Sequence, residues 1–383
     1  MNNESSGATN ENGGLAALAA SADGFQSASP STALVFPRDH GAHEGYRIEW
    51  WYLTANLEDS EGGLYGAQWT LFRVARKPID GSRGAQNPWQ DSQIYMAHFA
   101  ISTKVNHVSF QRYARGGSHS GLRRAGTRVS PFAAWLDDWE LRSKSTQTPD
   151  RDTANGTSLS EVIKVEEWLP LTVRAQENSY GISLDLTSQQ TLVLQGEKGF
   201  SRKHHNGGGS HYYSHPFLIA QGELLIDGKS VAVSGQAWLD REWSSQFLQD
   251  DQSGWDWFAL HLDSGEKLML FQLRAAEASD GSRNGGYRHG VLISADGRTR
   301  ELDASAISLM PKDYESVAGR RIPIRWRLEL PELERSFDVE ALHPDQWMDV
   351  DFAYWEGYVT ARGASVGERG RGYLEMVGYP LID

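Results

Sequence analysis

Two short stretches hold the densest mixture of polar and aromatic side chains in the chain. They are His211-Tyr212-Tyr213-Ser214-His215 and Gly235-Gln236-Ala237-Trp238-Leu239-Asp240-Arg241-Glu242-Trp243. In an extended chain, alternate residues share a face. His211 and Tyr213 then point together, and so do Trp238, Asp240 and Glu242. If Trp238 faces an apolar interior, Asp240 does too. A carboxyl set among aromatic rings loses its water, and its pKa rises. Such an acid can stay protonated near neutral pH and act as a proton donor. The competing reading is structural: Asp240 pairs with Arg241 or another arginine, and Trp238 and Trp243 are core.

A second constellation is Asp39-His40-Gly41-Ala42-His43, followed by Glu49. His40 and His43 read as ligands or bases, or as braces at the entry to the first strand. Glu49 shares a strand face with Trp51 while Trp50 points the other way. It reads as a buried acid or as the partner of Arg47 or Arg73. His204, His205, His211 and His215 are close in sequence, and imidazoles suit zinc. Their spacing matches no standard zinc site and a run of three glycines interrupts it, so no metal is expected. The stretch Gly363-Ala364-Ser365-Val366-Gly367 matches the hydrolase elbow G-x-S-x-G, which requires a strand before it and a helix after it. The next residues, ERGRGYLEMVGY, read as a loop and then a strand. Gly207–Gly209 lacks the lysine and the helix of a phosphate loop. No cofactor is expected.

The elements that must position these residues are strands. EWWYLTANL, a turn and YGAQWTLFR return later as GWDWFALHL, a turn and EKLMLFQLR. Aligned without gaps, the first strand of each pair sets Trp50 on Trp255, Tyr52 on Trp257 and Leu57 on Leu262; after each turn, the Leu71-Phe72 pair is set on Leu270-Phe271. The repeat argues for two related β-domains with aromatic interiors. Residues 105–113, 159–165, 182–186 and 191–194 have strand-like composition. Asp59-Ser60-Glu61-Gly62-Gly63, Asp227-Gly228, Asp263-Ser264-Gly265 and Asp296-Gly297 read as hairpin turns. Residues 132–141 fit a helix or a bulged strand, and 303–309 fit a short helix capped by Asp303. The stretches around Glu356 and Glu375 read as strands that close the second domain, with the acids facing the cavity or, as the preferred reading, in salt bridges at the edge of its core. The expected class is all-β, two antiparallel barrels packed together. A barrel of about eight strands can hold one small ligand. The expected organisation is a flexible tail over 1–33, a domain over 34–215 and a second over 216–383, with exposed loops at 143–157 and 276–286.

Composition narrows the function classes. The 383 residues include 14 Trp, 14 Tyr and 13 Phe, more large rings than two ordinary cores need, so a wide aromatic cavity is expected. The net charge is −13, and paired arginines occur at Arg123-Arg124 and Arg320-Arg321, which is no basic stripe. Nucleic acid is not an expected partner. The absence of cysteine removes disulfides, thiolate nucleophiles and cysteine-held zinc. No run of about 18 apolar residues offers a membrane span. The N-terminus lacks the basic start of a signal peptide, so an exported protein would have its signal absent from this chain.

FPRDHGAHEGYRIEWWYLTANL, GQAWLDREWSSQ, GWDWFALHL, and YWEGYV with GYLEMVGY are together similar to the AttH / carotenoid 1,2-hydratase (CrtC-like) family. The resemblance runs from about residue 35 to the C-terminus and is nearest to the AttH-like branch, whose members carry the label of predicted secreted hydrolases. It implies two lipocalin-like barrels and action on lipophilic, alkene-bearing molecules. Carotenoid hydratases add water across a terminal C=C, and related fungal proteins hydrate a prenyl group or steer a cycloaddition. The hydratase pattern His-x-aromatic then aromatic-x-Asp is met by His211-x-Tyr213 and Trp238-x-Asp240. It implies that Asp240 protonates the alkene and that the rings of Trp238 and Tyr213 stabilise the carbocation. His211 would orient the acid or activate water. Trp50, Glu49, Trp255, Trp257 and Tyr212 are expected at the ligand. The leading expectation is a lipophilic-ligand protein (isoprenoid, polyene or fatty-acid-like) that is a cofactor-free hydratase. The alternative is a non-catalytic carrier beside ABC-transporter components, and a hydrolase ranks third. A periplasmic or secreted location and peripheral membrane contact go with these expectations.

Overall fold

A computed structural model describes residues 22–78, 93–116, 124–144, 168–277, 286–365 and 367–382. Strands account for 62% of the fold, and among the described residues no helix reaches seven residues, as the all-β expectation requires. The chain makes two antiparallel sheets.

The first sheet opens with β1 (Ile48–Glu58), β2 (Leu64–Ala75), β3 (Gln93–Ser102) and β4 (His107–Arg115). It continues through β5 (Ala125–Arg128), β6 (Ala133–Leu136), β7 (Trp139–Ser143), β8 (Leu171–Glu177) and β9 (Tyr180–Thr187). Two short strands, β10 (Val193–Leu194) and β11 (Phe200–Arg202), precede the long pair β12 (Gly209–Ile226) and β13 (Lys229–Ser244). The spatial order is β4-β3-β2-β1-β13-β12-β9-β8-β7-β6-β5, with β10 and β11 also on β12. This sheet curls into a nearly closed barrel.

The second sheet opens with β14 (Gln252–Leu262), β15 (Lys267–Ala275), β16 (Tyr287–Ile293) and β17 (Thr299–Leu302). It ends with β18 (Ser308–Val317), β19 (Arg320–Leu330), β20 (Arg335–Ala341), β21 (Trp347–Met348), β22 (Tyr354–Gly363) and β23 (Arg369–Val377). The order β17-β16-β15-β14-β23-β22-β20-β19-β18 is a half-barrel. β22 and β23 therefore run through its middle rather than sealing its edge.

Several local expectations are refined. The Asp227-Gly228 turn has φ of 50° and 75°, the pair of left-handed residues that a two-residue type I′ hairpin needs. The stretch 132–141 is the β6–β7 hairpin, turned at Asp137 with φ 54°. Asp303 precedes a single 3-10 turn at Ala304–Ala306 and makes no side-chain cap. The change of sheet falls between Ser244 and Gln252, so the junction expected near 215 lies inside β12. The break suggested there is a β-bulge between His215 and Leu218. It houses Pro216, which has no N–H for the ladder. The described part of the expected tail is seated on the body: Gln26 N donates to Gly45 O at 2.9 Å, and Ser245 Oγ donates to Gln26 O. The strand expected at 159–165 lies outside the described residues.

The repeated hairpins are β1–β2 and β14–β15, and they face each other. The ring of Tyr52 meets that of its counterpart Trp257 edge-on at 5.4 Å. Trp50 and its counterpart Trp255 both pack edge-on against Phe247, at 4.8 and 5.2 Å. The pairing differs from the sequence match of Leu71-Phe72 with Leu270-Phe271. Trp50 lies opposite Phe72, whereas Trp255 lies opposite Leu273 rather than Phe271. The offset is two residues, so every side chain keeps its face.

The sheets are fastened along β1–β2 and β22–β23. Asn56 Nδ2 donates to Gly372 O at 2.9 Å, and Gln68 Nε2 donates to Glu356 at 2.5 Å. Gly372 sits where β23 passes so close to β14 that a Cβ would fall 1.9 Å from Ala259 O. Gly372→Ala forces the two central strands apart, and a loss of about 1–3 kcal/mol is expected. A urea midpoint equal to wild type would contradict this close approach.

Candidate functional site

The centre of the molecule is a cavity between the sheets. β13 lies against β1 on one side and β12 on the other, and its last residues are buried on both faces. The register sets Asp240 opposite Ser214 and Glu242 opposite Tyr212. Those four side chains, with Trp238, belong to the cavity face. Asp240 accepts three hydrogen bonds, from Tyr212 Oη at 2.8 Å, Ser214 Oγ at 2.5 Å and Trp238 Nε1 at 2.7 Å. No cation pairs with it among the described residues. Burial pushes its carboxyl up to about 7, against the pull of the three donors, and the charge of Glu242 adds to the rise. The Asp240–Arg241 pair considered from the sequence does not form, because neighbours along a strand point to opposite faces.

Rings line the rest of the cavity, among them Trp50, Tyr52, Tyr212, Trp255, Trp257 and Phe271. Trp257 Nε1 donates to Tyr212 Oη at 3.3 Å and joins the two walls. The free volume is about 60 Å³, room for a few waters or the tip of a slender ligand. Glu242 is held by Lys203 Nζ at 2.8 Å and by the Ser210 hydroxyl. Lys203 Nζ also lies 4.3 Å from the Phe271 ring centroid, a cation–π contact. From the second sheet, Glu375 accepts from Trp255 Nε1 at 2.5 Å. Burial pushes its carboxyl up to about 7, opposed by that hydrogen bond and supported by the charges of Glu242 and Asp240. Glu356 lies behind it, and burial followed by the charge of Glu375 raises its pKa well above the usual range. Among the described residues neither glutamate forms a salt bridge, and Glu375 faces the cavity, the other position the sequence allowed.

The opposite face of β13 looks into the first barrel, and several sequence candidates lie there. Glu49 is not at the cavity. It is fully buried between Arg73, Arg241 at 3.0 Å and His43 at 3.0 Å. Although burial opposes its charge, Arg73, His43 and Arg241 hold its carboxyl well below the usual range. Arg73 is thus its partner, as one of the sequence alternatives had it. The Arg241 guanidinium rests 3.8 Å from the Trp51 ring centroid, and His43 stacks on Trp243 at 3.8 Å. Tyr213 Oη shares a 2.7 Å hydrogen bond with His40 Nδ1. His211 packs among Tyr46, Phe200 and Trp243. Burial, then the nearby His43, lowers its pKa to about 4, and neither ring nitrogen has a hydrogen-bond partner.

The expected set of four is therefore split. Trp238 and Asp240 touch, with Trp238 behind the acid as a donor rather than in the wall. His211 and Tyr213 are one strand position out of phase, and Tyr212 takes the place expected of Tyr213. Trp50, Trp255, Trp257 and Tyr212 do line the cavity. The clustered histidines disperse: His204 lies by Asp251, His205 by Gly286 O, and His211 and His215 are buried in β12. At the elbow-like motif, Gly363 N donates to Glu368 O and β23 starts at Arg369, so among the described residues a strand and not a helix follows the motif.

Sequence reasoning missed Lys203, Tyr52 and Phe247 at the cavity, and held Glu375 there only as the less favoured of two readings. For Glu375 a signal existed. In GYLEMVGY, Tyr373 and Glu375 alternate as Trp238 and Asp240 do.

The AttH-like family model matches residues 27–379. The chain belongs to the AttH-like family. An AttH-type protein from Nitrosomonas europaea is 32% identical, with a TM-score of 0.74 over 93% of this chain and all of that one. Kievitone hydratase from Nectria haematococca is 15% identical, with a TM-score of 0.60 over 93% of this chain and 98% of its own. CghA with Sch210972 is 13% identical, with a TM-score of 0.50 over 93% and 97%. At these last two identities the likeness is one of fold. None of the curated proteins matches the chain.

Two substitutions probe the two faces of β13 in this AttH-like protein. Glu49→Leu leaves Arg73 and Arg241 buried without their carboxylate, and a loss of about 3–5 kcal/mol in denaturant unfolding is expected. A loss below about 1 kcal/mol would mean that the cluster relaxes or hydrates. For Asp240 the folded pKa lies above the unfolded one, about 3.9. The folded state then binds more protons between pH 4 and 7, so stability falls as pH rises through that window and the full cost persists above it. Asp240→Asn removes one such proton and flattens the slope by up to about 1.4 kcal/mol per pH unit. Parallel slopes for the two proteins would rule out a protonated Asp240.

Proposed function

We propose that this protein binds a lipophilic, alkene-bearing small molecule between its sheets and adds water across a C=C, with Asp240 as the acid. The observation that carries this reading is a buried carboxyl without a cation in an aromatic cavity, with its pKa near the pH of work. The Asp240 O–H bond breaks as a C–H bond forms on one alkene carbon. The other carbon becomes cationic, and the faces of Trp255, Trp257 and Tyr52 offer it cation–π stabilisation. Water then forms the C–O bond and gives up a proton, so alkene and water yield an alcohol with no cofactor. Tyr212, Ser214 and Trp238 fix the acid and stabilise the carboxylate left after proton transfer. The hydratase name of one structural relative supports the reading.

One observation favours a non-catalytic carrier. Both oxygens of Asp240 already receive donors from the protein itself, as in a purely structural acid. The two readings separate in one experiment. The protein is incubated with a panel of prenyl-bearing compounds, products heavier by one water are sought by mass spectrometry, and binding is followed by tryptophan fluorescence. Product formation should fall by about 10²-fold or more in Asp240→Asn while binding persists. Binding without product in the wild type would establish the carrier instead.

A further inference from the structure

Hydration needs a second group, one that takes the proton from the attacking water. His211, the sequence candidate, lies on the far face of β12. We infer that Glu375 is that group, a catalytic base that faces Asp240 from the other sheet. This inference rests on the hydratase reading and extends it by one residue.

The geometry singles out Glu375 among the acids near the cavity. Glu242 is occupied, by Lys203 at 2.8 Å and by Ser210. Glu356 is set behind the wall, where Gln68 holds it, and does not line the cavity. Glu375 lines the cavity, forms no ion pair among the described residues, and is fixed by the Trp255 N–H on Oε1. Its position relative to Asp240 is determined by a short path. Glu375 lies opposite Trp257 across the β14–β23 ladder. Trp257 Nε1 reaches Tyr212 Oη at 3.3 Å, and Tyr212 reaches Asp240 at 2.8 Å. The charge of Asp240 also reaches Glu375 and raises its carboxyl. An acid and a base on opposite walls of one slot are what anchoring an alkene and delivering water require.

The cycle starts with Asp240 protonated and Glu375 ionised. Asp240 transfers its proton to carbon. Water bonds to the cationic carbon while one of its O–H bonds breaks toward Glu375. The alcohol leaves, and the proton on Glu375 returns to Asp240 through solvent, which resets the pair. Each turnover consumes one alkene and one water and needs no oxidant or reductant.

The groups facing Glu375 are Glu356 and Tyr354 of β22, Trp255 and Trp257 of β14, Tyr52 of β1, Asp240 and Glu242 of β13, and Lys203. The charges of Glu242 and Asp240 add to the rise at Glu375, and its titration is shared with Glu356 behind it. The carboxyls of Asp240 and Glu375 lie near 7, so turnover should be bell-shaped with an optimum near neutral pH.

The test measures kcat and KM for hydration of a prenyl-bearing compound across pH 5–9 in wild type, Glu375→Gln, Glu375→Asp and Asp240→Asn, with thermal melting as a check on folding. Glu375→Gln should lower kcat by about 10²-fold or more, leave KM nearly unchanged and remove the acidic limb of the profile. Glu375→Asp should restore part of kcat and that limb. A structural glutamate would not change the shape of the profile. If Glu375→Gln is folded and keeps kcat and the acidic limb, the inference is wrong while the hydratase reading stands. If the wild type forms no product, both fall.

Discussion

The C-terminal half of strand β13 is buried on both faces, and the alternation of its side chains keeps two opposite electrostatic settings one residue apart. Arg241 turns into the first barrel, where its guanidinium and that of Arg73 hold Glu49 ionised. Asp240 turns the other way, into rings, with neutral donors and no cation. Had the two shared a face, they would have paired and the carboxyl would have dropped below its usual range. The geometry of an extended chain thus does what no single contact could: it separates a stabilising ion cluster from an acid able to hold a proton.

That separation explains why the two halves of β13's surroundings differ in kind. The Glu49 cluster is dense and anchored to the backbone, with Arg241 donating to Gly41 O and Trp50 O and Arg73 to His43 O and Tyr46 O. It fixes the segment before β1 to the barrel. The cavity face has few charges and many rings, and its one nearby lysine is already held by Glu242. Such a lining desolvates carboxyls and suits a cationic intermediate better than an anionic one.

Much of this was legible in the sequence, and the failures have a common cause. The strand alternation, the repeated hairpin, the Asp-Gly turns and the shared face of Trp238, Asp240 and Glu242 were all readable from residue spacing. The face opposite Asp240 was not. His211-Tyr213 and Tyr212-Ser214 are equally polar and aromatic, and β12 is buried on both sides there, so hydrophobicity cannot tell which pair meets the acid. Register decides it, and register depends on the bulge at Pro216. The same proline imitated a domain boundary. Lys203 was obscured by its glycine-rich surroundings, where the pattern reads as solvated loop. For Glu356 and Glu375 salt bridges were preferred over a cavity position because buried acids usually have cations. Here the neighbours are rings, an amide and hydroxyls.

The fastening of the two sheets through Asn56–Gly372 and Gln68–Glu356 has a consequence for how such a protein diversifies. Asp240 and Glu375 belong to different sheets, so the width of the slot between them is a hinge-like property of the joint and not of either acid. A bulkier or smaller residue at the seam, near Gly66 where Tyr358 and Tyr373 press in, changes the wedge angle while every group that handles protons stays in place. On the proposed reading, the girth of the ligand and the chemistry at the acids would then vary separately, and one pair of acids could serve molecules of different thickness.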